Sequence, residues 1–422
     1  MGAALLGDVT AVLKDMILPY VRDNLPKQTI LMDQLKRNAG VTPMNDEFLA
    51  VVYTSRHGGI ANLANDGNSL VSASGRDTSR GTVAVETVSA SFRMSKLAMD
   101  STKSGQMAVE NILTAQTRTL ISDASRHINR QYYQDGVGIL SQVRGTGGSV
   151  GVGTIAVEYP NSSLDDARSI DWYGTINDDI SPTKYFAADQ VIGVGTGGAA
   201  YGTVATAGVT GTSVVVGAAI VTAANDSVYL GDGSAAGAGT SEILGVRIAL
   251  SSTTGTSTYA GLARNTTGWT PSFGSASEAL SLDRMTERYL RAREYAQMGD
   301  KYIFLMNITP YRKYGALLTA MRQVVNEAEL LGGFKGLSFA AGGNQVVGVF
   351  LDYEVPDGEV LVLNLDTWTI CQVDDLSWVS GAEGEPLLRV SQTITYEAAL
   401  VWFTNLMCLA PAANGRDTRK TN

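Results

Sequence analysis

A chain of 422 residues that is 44% apolar carries enough hydrophobic material for two or three cored domains, which excludes a disordered protein. A net charge of −9 argues against a surface devoted to phosphate, and only two histidines leave a Ser-His-Asp site or a multi-histidine metal centre without raw material. The start, MGAALLGDVTAVLKDM, has no basic n-region, and no run approaches about 18 uninterrupted apolar residues, so a soluble protein made in the cytoplasm is expected, with no membrane partner.

Residues 1–45 mix short helical signals with extended chain, because Pro19, Pro26 and Pro43 prevent one long helix. Lys14, Arg22, Lys27, Lys36 and Arg37 nearly balance Asp8, Asp15, Asp23 and Asp33, which reads as an arm lying against something else. From Glu47 the period changes to two. EFLAVVYT is one strand, and Val88, Ala90, Phe92 and Met94 alternate with Thr87, Ser89, Ser91 and Arg93 in the returning one. RHGGIANLANDGNSLVSASGRDTSRG, about 26 residues, separates them, and a connection that long is usually functional. A protruding loop on a two-stranded stalk needs a neighbour to rest on, since an isolated hairpin is marginally stable.

SGQMAVENILTAQTRTLISDASRHINRQYYQDG, Ser104 to Gly136, predicts one long helix. Val109, Leu113, Leu120, Ala124, Ile128 and Tyr132 fall on one face, while Arg118, Ser122, Arg126 and Arg130 line the opposite side at i, i+4 spacing. Ser104 suits the N-cap and Gly136 the C′ position. At 1.5 Å per residue the helix spans about 45 Å, long enough to act as a spine.

Beyond it the charge distribution becomes uneven. Residues 151–258 hold ten acids against three bases, a net −7, and 190–225 are free of charge. TSVVVGAAIV and DSVYLGD are short β-branched strands with Gly-rich turns, which predicts a small β-domain. EILGVRIAL through STYAGLARNTTGWTPS reads as the connection back to the main body.

Leu282, Met285, Tyr289, Ala292 and Ala296 make an apolar stripe in the next helix, with Ser281 as N-cap and Gly299 as C′. YIFLM follows as a strand, then Thr309-Pro310 opens a helix running to about Ala320. VVGVFLDY, EVLVLNL and TWTICQV, punctuated by turns such as Asp357-Gly358, imply a sheet covered by these helices. LLRVSQTITYEAALVWFTNLMCLAP reads as one or two long strands ending at Pro411, and the tail ANGRDTRKTN as polar and frayed. Cys371 and Cys408 lie in apolar strand-like runs, as buried thiols do.

No constellation for chemistry emerges. His127 reads as a partly buried helix residue, and the pairs Asp165-Asp166, Asp178-Asp179 and Asp374-Asp375 as solvated loop acids without metal-site spacing. Residues 193–198, GVGTGG, match a dinucleotide fingerprint by letter, but the following AAYGTVATAG is no helix to receive a pyrophosphate. The reading is of a non-enzyme with no cofactor and no metal.

The order of parts resembles the HK97-fold major capsid proteins of tailed double-stranded DNA bacteriophages. The wording is similar in LKDMILPYVRDNLPKQTILMDQLKRNAG, VYTSRHGGIANLANDGNSLV, TLISDASRHINRQYYQDGVGIL, YIFLMNITPYRKYGALL and ITYEAALVWFTNLMCLAPAANG. The resemblance implies an α+β class with an HK97-like capsid fold: an N-terminal arm over 1–45, an E-loop β-hairpin over 46–95 and a peripheral domain over 96–150 with spine helix 104–136. The resemblance does not cover 151–275, read as an acidic β insertion domain that the minimal family pattern lacks; it implies an axial domain over 276–384, and 385–422 supply the peripheral return strands and tail. It also implies self-assembly as pentamers and hexamers into an icosahedral virion shell, with packaged double-stranded DNA, a portal protein, a separate scaffolding protein and in some cases a decoration protein as partners. Arg56, His57, Asn65, Arg76 and Arg80 of the hairpin and Arg118, Arg126 and Arg130 of the helix become the interface candidates. The acidic insertion is expected outside the shell, repelled by packaged phosphate.

Some capsids of this family join the E-loop to the next subunit through a Lys-Asn isopeptide bond. No lysine occurs between Asp46 and Ser95, so no such crosslink is expected. About 100 residues precede the spine, all taken up by arm and hairpin, so neither a fused scaffolding segment nor maturation cleavage is expected. Two alternatives remain at this point, an encapsulin-like shell holding enzyme cargo and a β-structured adhesin or tail-surface protein that would form a trimer or fibre.

Overall fold

In a computed structural model the described residues are 29–53, 60, 62, 75, 77–96, 106–143, 153–158, 183, 185–188, 190–195, 200–209, 213–217, 222, 226–230, 242–252, 258–264, 268–275, 278–296, 299–320, 327–329, 335–340, 346–356, 358–380, 388–390, 393–418 and 420–421. Five α-helices are seen among them: α1 (Ile30–Gln34), α2 (Gln106–Tyr133), α3 (Val246–Ala249), α4 (Leu282–Glu294) and α5 (Ile308–Ala320). The predicted spine helix is α2; its expected N-cap Ser104 lies outside the described residues. Gly136 takes a positive φ of 81° just beyond the helix end, a region that favours glycine.

A six-stranded sheet is organised around the 14-residue strand Thr395–Cys408. Glu86–Ser95 lies antiparallel along one edge, with ten paired positions from Thr395↔Ser95 to Thr404↔Glu86. Leu388–Arg389, Ser377–Trp378 and Trp368–Gln372 share the other edge. Lys36–Arg37 adds a parallel strand beyond Trp368–Gln372, so the end of the arm is stitched into this sheet. There Asn38, in a left-handed conformation, imitates a further strand residue. Its Nδ2 donates to Gln372 O and its Oδ1 accepts from Gln372 N, each at 2.8 Å. The period-two pattern of Glu86–Ser95 turns Val88, Phe92 and Met94 onto a core shared with Leu400, Trp402 and Ile121 and Ile128 of α2.

A seven-stranded sheet runs in the order Ser272–Gly274, Gly415–Asp417, Val360–Asn364, Tyr302–Met306, Val346–Leu351, Lys335–Ala340, Glu327–Glu329. Tyr302–Met306 is buried on both faces, which accounts for its unbroken apolar run. Tyr302, Phe304 and Met306 meet Met285, Tyr289 and Ala292 of α4 and Tyr314 and Leu318 of α5, while Ile303 and Leu305 join the core of the other sheet. Edge-to-face ring pairs, Tyr289–Tyr302 at 5.2 Å and Phe304–Phe339 at 5.1 Å, fix the first of these faces.

Strands Ser213–Val216, Thr154–Glu158, Ile139–Val143, Ser227–Leu230, Val191–Val194 and Ala200–Val209 close in that order into a barrel. Its interior is a separate core of Leu140, Val143, Ile155, Val157, Phe186, Ile192 and five further valines. A three-stranded sheet, Val41–Met44, Glu47–Tyr53 and Thr78–Ala84, completes the described architecture with two short two-stranded pairings.

Several expectations are corrected. The strand returning against EFLAVVYT is Thr78–Ala84, paired from Glu47↔Ala84 to Tyr53↔Thr78, whereas the more strongly alternating 86–95 crosses to the six-stranded sheet. The tail is not frayed: Gly415–Asp417 lies between two strands of the seven-stranded sheet, and Asn414, Arg416 and Thr418 are fully buried. Residues 368–378, expected with the second sheet, belong to the first. Ser281 caps α4 as expected, accepting from Arg284 N at 3.4 Å, but Gly299 lies beyond the C-cap Tyr295 and serves a close approach to Asp366 instead. At α5 the first helical bond runs from Tyr311 N to Asn307 O, so Asn307 holds the N-cap and Pro310 the third helical position.

Candidate assembly surfaces and the junction at the helix end

The three-stranded sheet alternates cleanly. Phe48, Ala50, Val52 and Val83 point into the main core, and the opposite face presents Met44, Val51 and Tyr53, of which Val51 is 70% exposed. Arg80 is exposed and directly opposite Val51 in the register, so it shares that outward face. The other hairpin candidates, Arg56, His57, Asn65 and Arg76, lie outside the described residues. The sheet's last strand is tied to the body where Thr82 N donates to Ala260 O at 3.0 Å.

The arginine stripe expected along the long helix separates into three cases. Arg118 belongs to α2, but its side chain lies outside the described set. Arg126 is exposed. Arg130, expected at an interface, is instead fully buried within the chain, because the last turn and a half of α2, Ile128 to Tyr133, is enclosed.

Arg130 is ion-paired with Glu242, the residue at which the chain re-enters the body after the barrel. Its guanidinium lies over the ring of Tyr185, 5.4 Å from the centroid. The Tyr185 hydroxyl donates to Glu354, in the turn after strand Val346–Leu351. One turn away, Asp352 accepts from Asn129 Nδ2 at 3.1 Å, Tyr133 Oη at 3.0 Å and Glu354 N at 3.0 Å. The helix end is therefore a polar junction of long helix, barrel and seven-stranded sheet. Gly245 permits it: a Cβ there would overlap the carbonyl oxygens of Gln131, Tyr132 and Gln134 at the end of α2.

Burial raises the Asp352 carboxyl, against hydrogen bonds that lower it, and raises Tyr133 well above the usual phenol range. Glu86 is raised by burial and by the charge of Glu242. His127 is lowered to about 3, first by burial and then by Arg130, and its Nε2 lies 2.8 Å from Gln131 Nε2, as suits a partly buried helix histidine.

A second buried charge cluster pins the C-terminal strand. Arg416 grips Glu359 through two bonds, Nη2 at 2.8 Å and Nε at 3.1 Å, and Arg247 approaches the same carboxylate at 3.4 Å. Arg288 of α4 holds Asp417 at 2.8 Å. Glu242 and Arg247, counted in the sequence among the charges of an outward-facing acidic region, are thus interior groups of the main body. None of these partners was legible from spacing, since Asn129 and Asp352 are 223 residues apart and Arg130 and Glu242 112.

Cys371 and Cys408 are free and buried, and burial pushes both thiols up to about 12. Among the described residues no group of three or more metal-binding side chains occurs, and no helix is long and apolar enough to cross a membrane.

No protein-family model and no curated protein matches the sequence. Solved structures do. The chain is similar to the capsid asymmetric unit of cyanophage A-1(L), at 12% identity and a TM-score of 0.51, with 93% of each chain covered. It also matches the capsid of a native GTA particle, at 10% identity and a TM-score of 0.42 over 92% of this chain and 90% of that one. A match to the SrpI encapsulin of Synechococcus elongatus covers 35% of this chain and 53% of that one, at 14% identity and a TM-score of 0.28. The chain has the HK97-like capsid fold, in the α+β class.

Proposed function

We propose that this chain is the major capsid protein of a tailed double-stranded DNA bacteriophage, self-assembling as pentamers and hexamers into an icosahedral shell. The observation that carries the reading is the correspondence of fold along 93% of both this chain and the cyanophage capsid subunit. A capsid subunit is a structural protein, and the role requires no catalytic site, cofactor or metal.

The physical demand is for contacts that close both five- and six-fold rings from one sequence, so rigid cores must carry adjustable edges. The two sheets with α2, α4 and α5 supply the cores. The three-stranded sheet, with Met44, Val51, Tyr53 and Arg80 on its outer face, supplies an edge suited to a neighbouring copy. In this reading the barrel is an insertion on the shell's outer side. Packaged double-stranded DNA, a portal protein, a separate scaffolding protein and, in some particles, a decoration protein are the partners, and the virion is the location.

Negative-stain microscopy of the chain co-expressed with its own scaffolding protein tests the proposal. Closed shells are expected. Trimers or fibres would instead favour a surface adhesin, and shells that copurify with an enzyme in place of DNA would favour a cargo compartment.

A further inference from the structure

Among the described residues the barrel joins the body at a neck. The chain leaves α2 through Gly136 and Gly138, both at positive φ, and returns at Glu242, whose N donates to Gly136 O at 3.2 Å. Outgoing and incoming segments are thus hydrogen-bonded to each other at the same point. The barrel has its own hydrophobic core, sharing no residue with the core of the main body, and its strands make their extensive contacts with one another.

Beside the neck, two consecutive barrel residues meet different partners. Phe186 is buried in the barrel core. Tyr185 packs against that core and also reaches across to the body, its hydroxyl donating to the Glu354 carboxylate and its ring covering the Arg130 guanidinium. The receiving site is rigid on both counts. Arg130 is held by Glu242, and the turn bearing Glu354 is held through Asp352 by Asn129 and Tyr133 of α2. A barrel joined to the body at this neck and tied to Glu354 by a polar contact beside it can be held by that contact or released from it.

We propose that Tyr185 is a latch that fixes the orientation of the barrel, and that releasing it lets the barrel pivot about the Gly136–Glu242 neck with both cores intact. The latch bonds are polar and Tyr185 is partly exposed, so water replaces those bonds when the latch opens. This inference concerns the single chain and does not depend on shell assembly.

Pulsed electron-electron resonance between spin labels at Thr203→Cys in the barrel and Asp283→Cys in α4 tests it on the full-length chain. Both positions are exposed, while Cys371 and Cys408 are buried, so only the introduced thiols take label. The unaltered latch should give one narrow distance. Tyr185→Phe, which keeps the ring and removes the donor to a charged acceptor, should raise the fraction at other distances roughly tenfold, and Tyr185→Ala should raise it further. Amide exchange protection of the barrel strands should stay unchanged in Tyr185→Phe, which keeps the ring against the barrel core. A Tyr185→Ala distribution that superimposes on the parent overturns the proposal. So does a broadened Tyr185→Phe distribution accompanied by loss of barrel protection, because Tyr185 would then hold the barrel together rather than orient it.

Discussion

Glu359 and Arg416 are both fully buried, and their two-bond contact joins neighbouring strands of the seven-stranded sheet. Removing one member of a buried ion pair costs far more than a surface pair returns, because the other charge stays desolvated. Arg416→Ala leaves Glu359 to Arg247 and should lower unfolding stability by about 3 kcal/mol in a denaturant titration. His127 gives a prediction in pH. Its folded value of about 3 lies below the ordinary histidine value of 6.5, so above about pH 6.5 both folded and unfolded forms are neutral and the group contributes no slope. As pH falls through 6.5 toward 3 the unfolded chain binds the proton first, and stability is lost. Replacing His127 with Gln should flatten the stability profile in that window; an unchanged profile would contradict the burial of its ring. The tail shows why residue-level reading fell short. ANGRDTRKTN is polar in composition, and only tertiary partners, Glu359 for Arg416 and Arg288 for Asp417, make such a segment an interior strand.

At the scale of elements, local patterns were legible and pairings were not. The four-residue spacing in α2, the Ser281 cap and the unbroken apolar run of Tyr302–Met306 each follow from periodicity or capping chemistry contained within the element. The partner of Glu47–Tyr53 did not, because TSRGTVA alternates less clearly than ETVSASFRMS and the stronger pattern answers to Thr395–Cys408. In α2 the i, i+4 arginines looked equivalent, yet Arg126 meets solvent and Arg130 meets Glu242, since the neck folds over the last turns of the helix. This difference separates assembly from folding. Arg126→Glu should change monomer stability by no more than about 0.5 kcal/mol, and under the proposed function it should block shell formation. Arg130→Glu places two carboxylates together in the interior and should cost at least about 3 kcal/mol, measured by thermal or denaturant unfolding. Normal shells from Arg126→Glu would remove that residue from the interface.

The molecule as a whole combines two sheets that share a core, a hairpin-derived sheet with an apolar outer face, and a barrel with its own interior. Fold class was readable at this scale: the chain has the HK97-like capsid fold and matches a capsid asymmetric unit along 93% of each chain at only 12% identity. Boundaries were less readable, since the chain passes between the two sheets, with Trp368–Gln372 in the first and Gly415–Asp417 in the second, without a change in composition. The absence of lysine from Asp46 to Ser95 gives a further expectation for mature particles. Boiled in denaturant, they should run as a single monomer band, and a ladder of subunit multiples would show covalent crosslinking. Under the proposed function, electron microscopy of the chain expressed with the scaffolding protein proposed for it decides whether the subunit forms shells. The account predicts closed icosahedral particles built of five- and six-fold clusters, and a population confined to trimers, fibres or unassembled monomers would contradict it.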